Sequence, residues 1–261
     1  MDSLGNYDFA LDLATENSLS VLLTYIKKGS RVLELGPANG RLTRYLKEAM
    51  ECTVDIVEID AAAGQEAAQY AKHACLGIPE GDIDGDAWAL KLKDERYDFI
   101  LFADVLEHLR SPEKALRRSK ELLKEAGSIL VSVPNIAHNA ILLSLMAGKF
   151  EYADVGLLDR THVHFFTRDS FHRMAAAVGC AIISERDTTA DVAHAGIAVY
   201  RAALRSPLSA AKSQRHCLSV HLSPRANRFC IGKRAGDASS RCAGLCASCG
   251  VFRARTREGW L

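Results

Sequence analysis

Apolar residues fall in short dense runs, separated by stretches with helical spacing. Residues 32–35 (VLEL), 53–59 (TVDIVEI), 97–103 (YDFILFA) and 128–133 (SILVSV) are almost continuously apolar over strand length. That is the pattern of parallel strands covered on both faces, not of strands with one wet side. Between them lie helix patterns: residues 12–28, with Leu13, Leu19, Leu22, Leu23 and Ile26 on one stripe, then 41–50, and the alanine-rich 61–74. A further helix spans 111–126 and opens with Ser111 as cap, Pro112 at the first helical position and Glu113 in the first turn. Helices are also predicted over 136–147 and 169–179, the latter initiated by Thr167 or Asp169. A short third strand precedes the turn at 78–84, and the last two strands fall at 180–185 and 196–202. Strand–helix alternation through five strands predicts an α/β fold, a doubly wound, mostly parallel seven-stranded sheet of Rossmann-like form with an antiparallel closing strand.

The stretch that organises the chain is Arg31 to Arg41, RVLELGPANGR. It reads as a strand, a tight turn of small residues and a helix start, the opening of a nucleotide-binding unit. Glycines there let backbone pass close under a ligand. A dinucleotide fingerprint wants a third glycine, where Arg41 stands, and Glu34 two residues before Gly36 would repel a pyrophosphate. A carboxylate at that place suits an ammonium group instead. Glu58, 22 residues after Gly36, closes the second strand where such sites put an acid for ribose hydroxyls.

These segments resemble the class I S-adenosylmethionine-dependent methyltransferases, whose first motif runs roughly Asp/Glu-x-Gly-x-Gly-x-Gly; here Ala38 replaces the middle glycine before Gly40. Residues 104–109, DVLEHL, resemble a segment common in small-molecule methyltransferases, and Gly81-Asp82-Ile83 resembles the segment in which an acid meets the adenine amino group and an apolar residue covers the ring. The resemblance implies S-adenosyl-L-methionine as cofactor, held by Glu34, Gly36, Ala38, Gly40, Glu58, Asp82, Ile83 and Asp104. Residues 156–162 (GLLDRTH), followed by Phe165-Phe166-Thr167, resemble a subgroup of small-molecule or saccharide O-methyltransferases found in bacterial cell-surface polysaccharide gene sets, with ubiquinone-type relatives. That subgroup implies a small-molecule or saccharide acceptor and association with glycosyltransferases.

The insert at about 135–167 lies where open α/β sheets build the upper wall of a site. It is rich in titratable groups: Asp154, Asp159, Arg160, His162 and His164. Methyl transfer from a sulfonium needs alignment above all, but a hydroxyl acceptor must also lose a proton, and histidine is the natural base near pH 7. His162, His164 and His108 are the candidates. His162 is favoured as the catalytic base, with Asp159 beside it to orient the ring. Asn135, Arg160, His164 and His108 are expected to contact the acceptor, and no metal is expected.

Charge divides the chain. Residues 201–261 hold 12 Lys/Arg against 2 Asp/Glu, whereas residues 1–200 hold 21 against 30. The expected organisation is a methyltransferase domain over 1–204 and a basic, disordered tail over 205–261. Of the eight cysteines, Cys52, Cys75 and Cys180 sit among apolar neighbours, and the other five are in the tail. Cys242, Cys246 and Cys249 match the spacing of a radical S-adenosylmethionine iron–sulfur motif, but the 12 residues after them cannot build the barrel that chemistry uses. A zinc site with Cys217, His216 or His221 matches no strong spacing. No apolar run approaches the roughly 20 residues of a spanning helix, and the acidic start is not a signal peptide, so a cytoplasmic location is expected. Two further readings are a non-catalytic cofactor-binding scaffold and an RNA methyltransferase with the tail as an arm. The acidic body argues against nucleic acid as a partner.

Overall fold

The computed structural model describes residues 11–188 and 197–204. The cysteine-containing tail, and every expectation attached to it, lies outside them. Seven strands form one sheet: β1 (Arg31–Leu35), β2 (Thr53–Glu58), β3 (His73–Leu76), β4 (Tyr97–Ala103), β5 (Leu123–Pro134), β6 (Cys180–Asp187) and β7 (Ile197–Leu204). Their order is β3-β2-β1-β4-β5-β7-β6. The first five are parallel, and β7 runs antiparallel to both β5 and β6. The fold expected from the pattern is therefore the fold observed.

The apolar runs follow from burial on both faces. In β1, Leu33 and Leu35 join a core with Val57, Ile100, Phe102 and Val131. Val32, one residue earlier, joins the opposite layer with Val54, Ile56, Leu101 and Leu130, closed by Leu42 and Leu46 of α2 (Arg41–Glu48). Alternate residues thus serve alternate layers, and a polar side chain on either face, such as Glu34, is buried.

Three helix expectations change length, each for a local reason. Over 12–28 only Ser18–Leu23 is helical (α1), because Asn17 caps it in a box with Ser20, and Asp12 takes the N–H groups of Ala14 and Thr15. Such side-chain-to-backbone bonds hold the preceding segment out of the helix. Over 61–74 the helix stops at Ala67 (α3, Ala61–Ala67), followed by one 3₁₀ turn, and His73–Leu76 becomes β3. The open edge of β2 offers that segment backbone partners, which outweigh its alanine propensity. Helix α5 (Pro112–Glu121) ends before Leu123, which already pairs with Tyr97 as the start of β5. A short helix, α4 (Ala87–Lys91), was not expected; it buries Trp88, whose indole N–H donates to the Ile83 carbonyl at 3.2 Å. The last two helices are α6 (Asn139–Met146) and α7 (Arg168–Ala177), the latter capped by Thr167.

Near the amino-terminal end of β1, away from the strand exits, a polar knot holds the sheet. Fully buried Asp55 receives Arg31, the backbone N–H of His73 at 2.9 Å and the hydroxyl of buried Tyr97 at 2.6 Å. Tyr97→Phe deletes one hydrogen bond to a buried carboxylate and should cost about 1.5–3 kcal/mol. Urea unfolding of the two proteins measures it; an unchanged midpoint would show that the bond contributes nothing net.

Candidate active site

The order of the strands reverses between β1 and β4, one running outward to β2 and β3, the other to β5. At such a point the connections leave in opposite directions and open a crevice at the carboxyl ends of the strands. Two backbone segments line it. The first is the loop after β1, where Gly36, Ala38 and Gly40 have φ of +71°, +50° and +84°. A Cβ at Gly36 would stand 2.8 Å from Cγ2 of Val105, and one at Gly40 would stand 2.5 Å from Cα of Ala67 in α3. Ala38 carries a methyl group in the same left-handed region, so it is a strained stand-in for glycine.

Glu58, at the end of β2, ties this loop down. Its Oε2 accepts the Ala38 N–H and its Oε1 the Asp60 N–H, both at 2.9 Å. Gly81 lies so close that a Cβ would fall 1.9 Å from the Glu58 carbonyl oxygen, which draws residues 81–83 against the strand end. Ile83 is buried there; Asp82 stays partly exposed and accepts the Asp84 N–H at 3.0 Å. Glu34, the buried carboxylate inside β1, accepts from the Thr43 hydroxyl at 2.7 Å.

The second segment follows β4. Asp104 takes a left-handed conformation, φ +55°, and its N–H donates to Ser132 Oγ at 3.0 Å. Its Oδ2 accepts from Ser18 at 3.3 Å, and its buried Oδ1 has no hydrogen-bond partner among the described residues. Then comes a 3₁₀ turn, Leu106–His108. Glu107 is 1% exposed and neither carboxyl oxygen has a hydrogen-bond partner among the described residues. The Glu107 carbonyl accepts the N–H groups of Val163 and His164 at 2.9 and 3.0 Å, which pins the insert over the turn. The His162 ring thereby meets the His108 ring edge-on, centroids 4.8 Å apart. A carboxyl oxygen of Glu107 and a ring nitrogen of each of His108 and His162 all lie within 4.8 Å of one another.

The insert is wired differently from the sequence expectation. Asp159, expected to orient His162, is buried and accepts through Oδ1 both the N–H and the hydroxyl of Thr161, at 2.8 and 2.7 Å. Thr161 Oγ1 in turn lies 3.0 Å from Nδ1 of His108. Nδ1 of His162 lies 3.4 Å from the Leu157 carbonyl, while Asp159 reaches that ring by charge. Arg160 points to solvent in an exposed ion pair with Asp154. His164 is held by the Arg110 carbonyl at 3.4 Å, and Asn135 caps its own turn at Ala137. His108, His162 and Asp159 therefore come together, and Arg160 does not join them. Glu107 and Thr161 were missed. Both lie inside phrases read for their family likeness, and only the turn geometry shows which of those side chains point inward.

Burial sets the protonation of the whole crevice. It pushes Glu34 up to about 7, against the lowering effect of the Thr43 hydroxyl. Burial likewise raises Glu58 and Asp104, and raises Glu107 well above the usual carboxylate range. It lowers His108, as does the neighbouring His162, and it lowers His162 as well. Desolvation disfavours the charged form of each group, so the carboxyls gain protons and the imidazoles lose them.

Comparison with known proteins decides the family. The model of the family described as "Methyltransferase domain" matches residues 11–185. The chain belongs to that family. The resemblance to class I S-adenosylmethionine-dependent methyltransferases read from the sequence is thus borne out. This methyltransferase domain is 27% identical over 123 residues to the ubiquinone biosynthesis O-methyltransferase of Azorhizobium caulinodans, covering 47% of each chain. It is 28% identical over 115 residues to a ubiquinone/menaquinone biosynthesis C-methyltransferase of Pseudomonas savastanoi, covering 43% of this chain and 44% of that one. The chain thus spans about half the length of the curated relatives it matches. Among solved structures, the fold is shared with magnesium protoporphyrin IX methyltransferase of Synechocystis with bound SAH (TM-score 0.52, 15% identity, 72% of this chain and 80% of that one). It is also shared with the CcbJ methyltransferase of Streptomyces caelestis (TM-score 0.54, 14% identity, 76% and 94%).

The raised Glu34 has a stability consequence. The folded methyltransferase domain holds that proton to about pH 7, whereas the unfolded chain releases it near the ordinary value of 4.5. Between those values the folded state binds more protons, so Glu34 lowers stability as pH rises, by up to about 3 kcal/mol for a shift of this size. Glu34→Gln should therefore gain on the wild type progressively between pH 4.5 and 7. Urea unfolding at pH 5 and pH 8 measures the difference, and a gap equal at both would refute the shifted carboxyl.

Proposed function

We propose that this domain binds S-adenosylmethionine in the β1/β4 crevice and transfers its methyl group to a hydroxyl of a small molecule. The observation that carries the reading is the sign of the side chains at the loop. Buried Glu34 lies inside β1 and buried Glu58 closes β2 there, with Asp104 opposite just after β4. Carboxylates favour an ammonium and ribose hydroxyls and repel a pyrophosphate. The backbone supports the same ligand: at Gly36 and Gly40 a side chain would collide with Val105 or Ala67. When bound, the cofactor supplies an activated methyl group; the residues of the chain hold, orient and exclude water. A hydroxyl acceptor placed against His108 and His162 would find an uncharged imidazole ready for its proton.

Within this reading the acceptor is a saccharide, on the strength of the likeness of residues 156–167 to saccharide O-methyltransferases, and association with glycosyltransferases belongs to the same proposal. One feature favours a second acceptor class, a hydroxyl on an apolar or aromatic body. The insert exposes Leu143, Met146, Phe150, Tyr152 and Val163. The relatives named for ubiquinone biosynthesis point the same way. No helix among the described residues is long and apolar enough to cross a membrane.

Titration calorimetry tests the cofactor. S-adenosylmethionine or S-adenosylhomocysteine should bind and NAD should not. Gly36→Val should abolish binding, since a branched side chain at φ +71° is both strained and in collision with Val105. Tight binding of NAD with none of S-adenosylmethionine would overturn the proposal.

A further inference from the structure

We infer that His108, rather than His162, is the base for the acceptor proton, and that Thr161 is the positioning residue that couples its ring to Asp159. The inference rests on the O-methylation proposed above. It starts from the count of hydrogens on Thr161. That hydroxyl has one proton and two partners, Oδ1 of Asp159 at 2.7 Å and Nδ1 of His108 at 3.0 Å. Oδ1 of Asp159 already accepts the Thr161 N–H, so it faces the hydroxyl as an acceptor and the hydroxyl proton points to it. The hydroxyl oxygen must then accept from His108, and Nδ1 of that ring carries a hydrogen. The lone pair of the neutral ring is thereby placed on Nε2.

His162 is held by a different kind of partner. The Leu157 carbonyl also fixes a hydrogen on its Nδ1, but a carbonyl is neutral and ends the chain of bonds there. His108 instead passes through a hydroxyl to a buried carboxylate. As a proton arrives on Nε2, the charge on the ring is met by Asp159 through that bond, the arrangement that steadies an imidazolium in hydrolytic triads. The Thr161 N–H, bonded to the same carboxylate oxygen, fixes the hydroxyl in place. His108 sits on the turn leaving β4, next to Glu107 and three residues after Val105, the side chain that closes over Gly36. It is therefore built into the same backbone segment that seals the cofactor loop, whereas His162 arrives on the insert.

The step balances without another reagent. The acceptor oxygen gives its proton to Nε2 of His108 and its electron pair to the methyl carbon. The carbon–sulfur pair returns to the sulfonium, which becomes a neutral thioether, and the proton leaves the ring for solvent. The groups facing His108 are Thr161, Asp159 and His162 from the insert, with Glu107 from its own turn. The uncharged ring should titrate below an ordinary histidine, because burial and His162 outweigh the Thr161 backbone and Asp159. Turnover should rise with pH through that value and then level.

Two measurements on the full chain test the inference. Nitrogen-15 NMR of the imidazoles reads the tautomer directly, without any acceptor. His108 should carry its hydrogen on Nδ1 in the wild type, lose that preference in Thr161→Val and regain it in Thr161→Ser. A wild-type His108 protonated on Nε2, or a tautomer indifferent to Thr161→Val, overturns the link. The second measurement is transfer of labelled methyl from S-adenosylmethionine to catechol and to methyl glucoside. His108→Ala should lower kcat on the order of 100- to 10,000-fold with cofactor affinity unchanged. Thr161→Val should lower kcat on the order of 10- to 100-fold, and Thr161→Ser should restore it. His162→Ala should lose less than His108→Ala; the reverse order overturns the assignment. Activity abolished by a chelator would also overturn it, by making the two imidazoles ligands of a cation. If the wild type methylates neither probe, the O-methylation reading is what fails, and the tautomer still judges the Thr161 link.

Discussion

The contact between Gly36 and Val105 sets the separation of the two halves of the site. One belongs to the loop after β1, the other to the turn after β4, and there is no room between them for a single carbon atom. Because of that closeness, both segments must turn in left-handed backbone, at Gly36 on one side and at Asp104 on the other. The remaining arrangement follows outward. Glu58 takes the Ala38 N–H and fixes the far side of the loop; the Glu107 carbonyl takes two N–H groups of the insert and fixes the roof. The loop and its roof are two consequences of one packing contact.

The same closeness makes the crevice electrically unusual. Glu34, Glu58, Asp104 and Glu107 are carried into it by strands and turns that the hydrophobic core holds in place, and each is pushed toward its neutral form. Carboxyls brought together in low dielectric cannot all ionise at once. A cationic ligand relieves them and a polyanionic one worsens them. Selection between nucleotide-like ligands is therefore made by burial as much as by shape.

The sheet was legible because its cause is local. A strand buried on both faces is apolar at most positions, and a run such as YDFILFA can hardly do anything else. The glycine loop was legible because left-handed backbone in a tight turn calls for small residues, and Glu58 because it closes the neighbouring strand beside that loop. What could not be read was set by partners distant in sequence. The alanines before β3 favour helix, and only the free edge of β2 draws that segment away. Asp159 and His162 stand three residues apart and look like a pair. The hydroxyl of Thr161 takes the carboxylate instead and links it to a histidine 53 residues earlier. Glu107 lay hidden in a phrase that sequence likeness treats as one word. Nothing in the one-dimensional pattern says that its side chain turns inward, away from solvent.

The orphaned carboxyl of Glu107 bears on how this domain would respond to breeding for robustness. A buried acid without a partner is a standing liability for the fold, and filling its place with an apolar side chain of similar volume would relieve it. Heat-based screening of random variants would reward such replacements early, since each removes a buried polar group that has no partner among the described residues. Survival in such a screen would report on the fold alone, so any hardening programme for the domain has to score function alongside it.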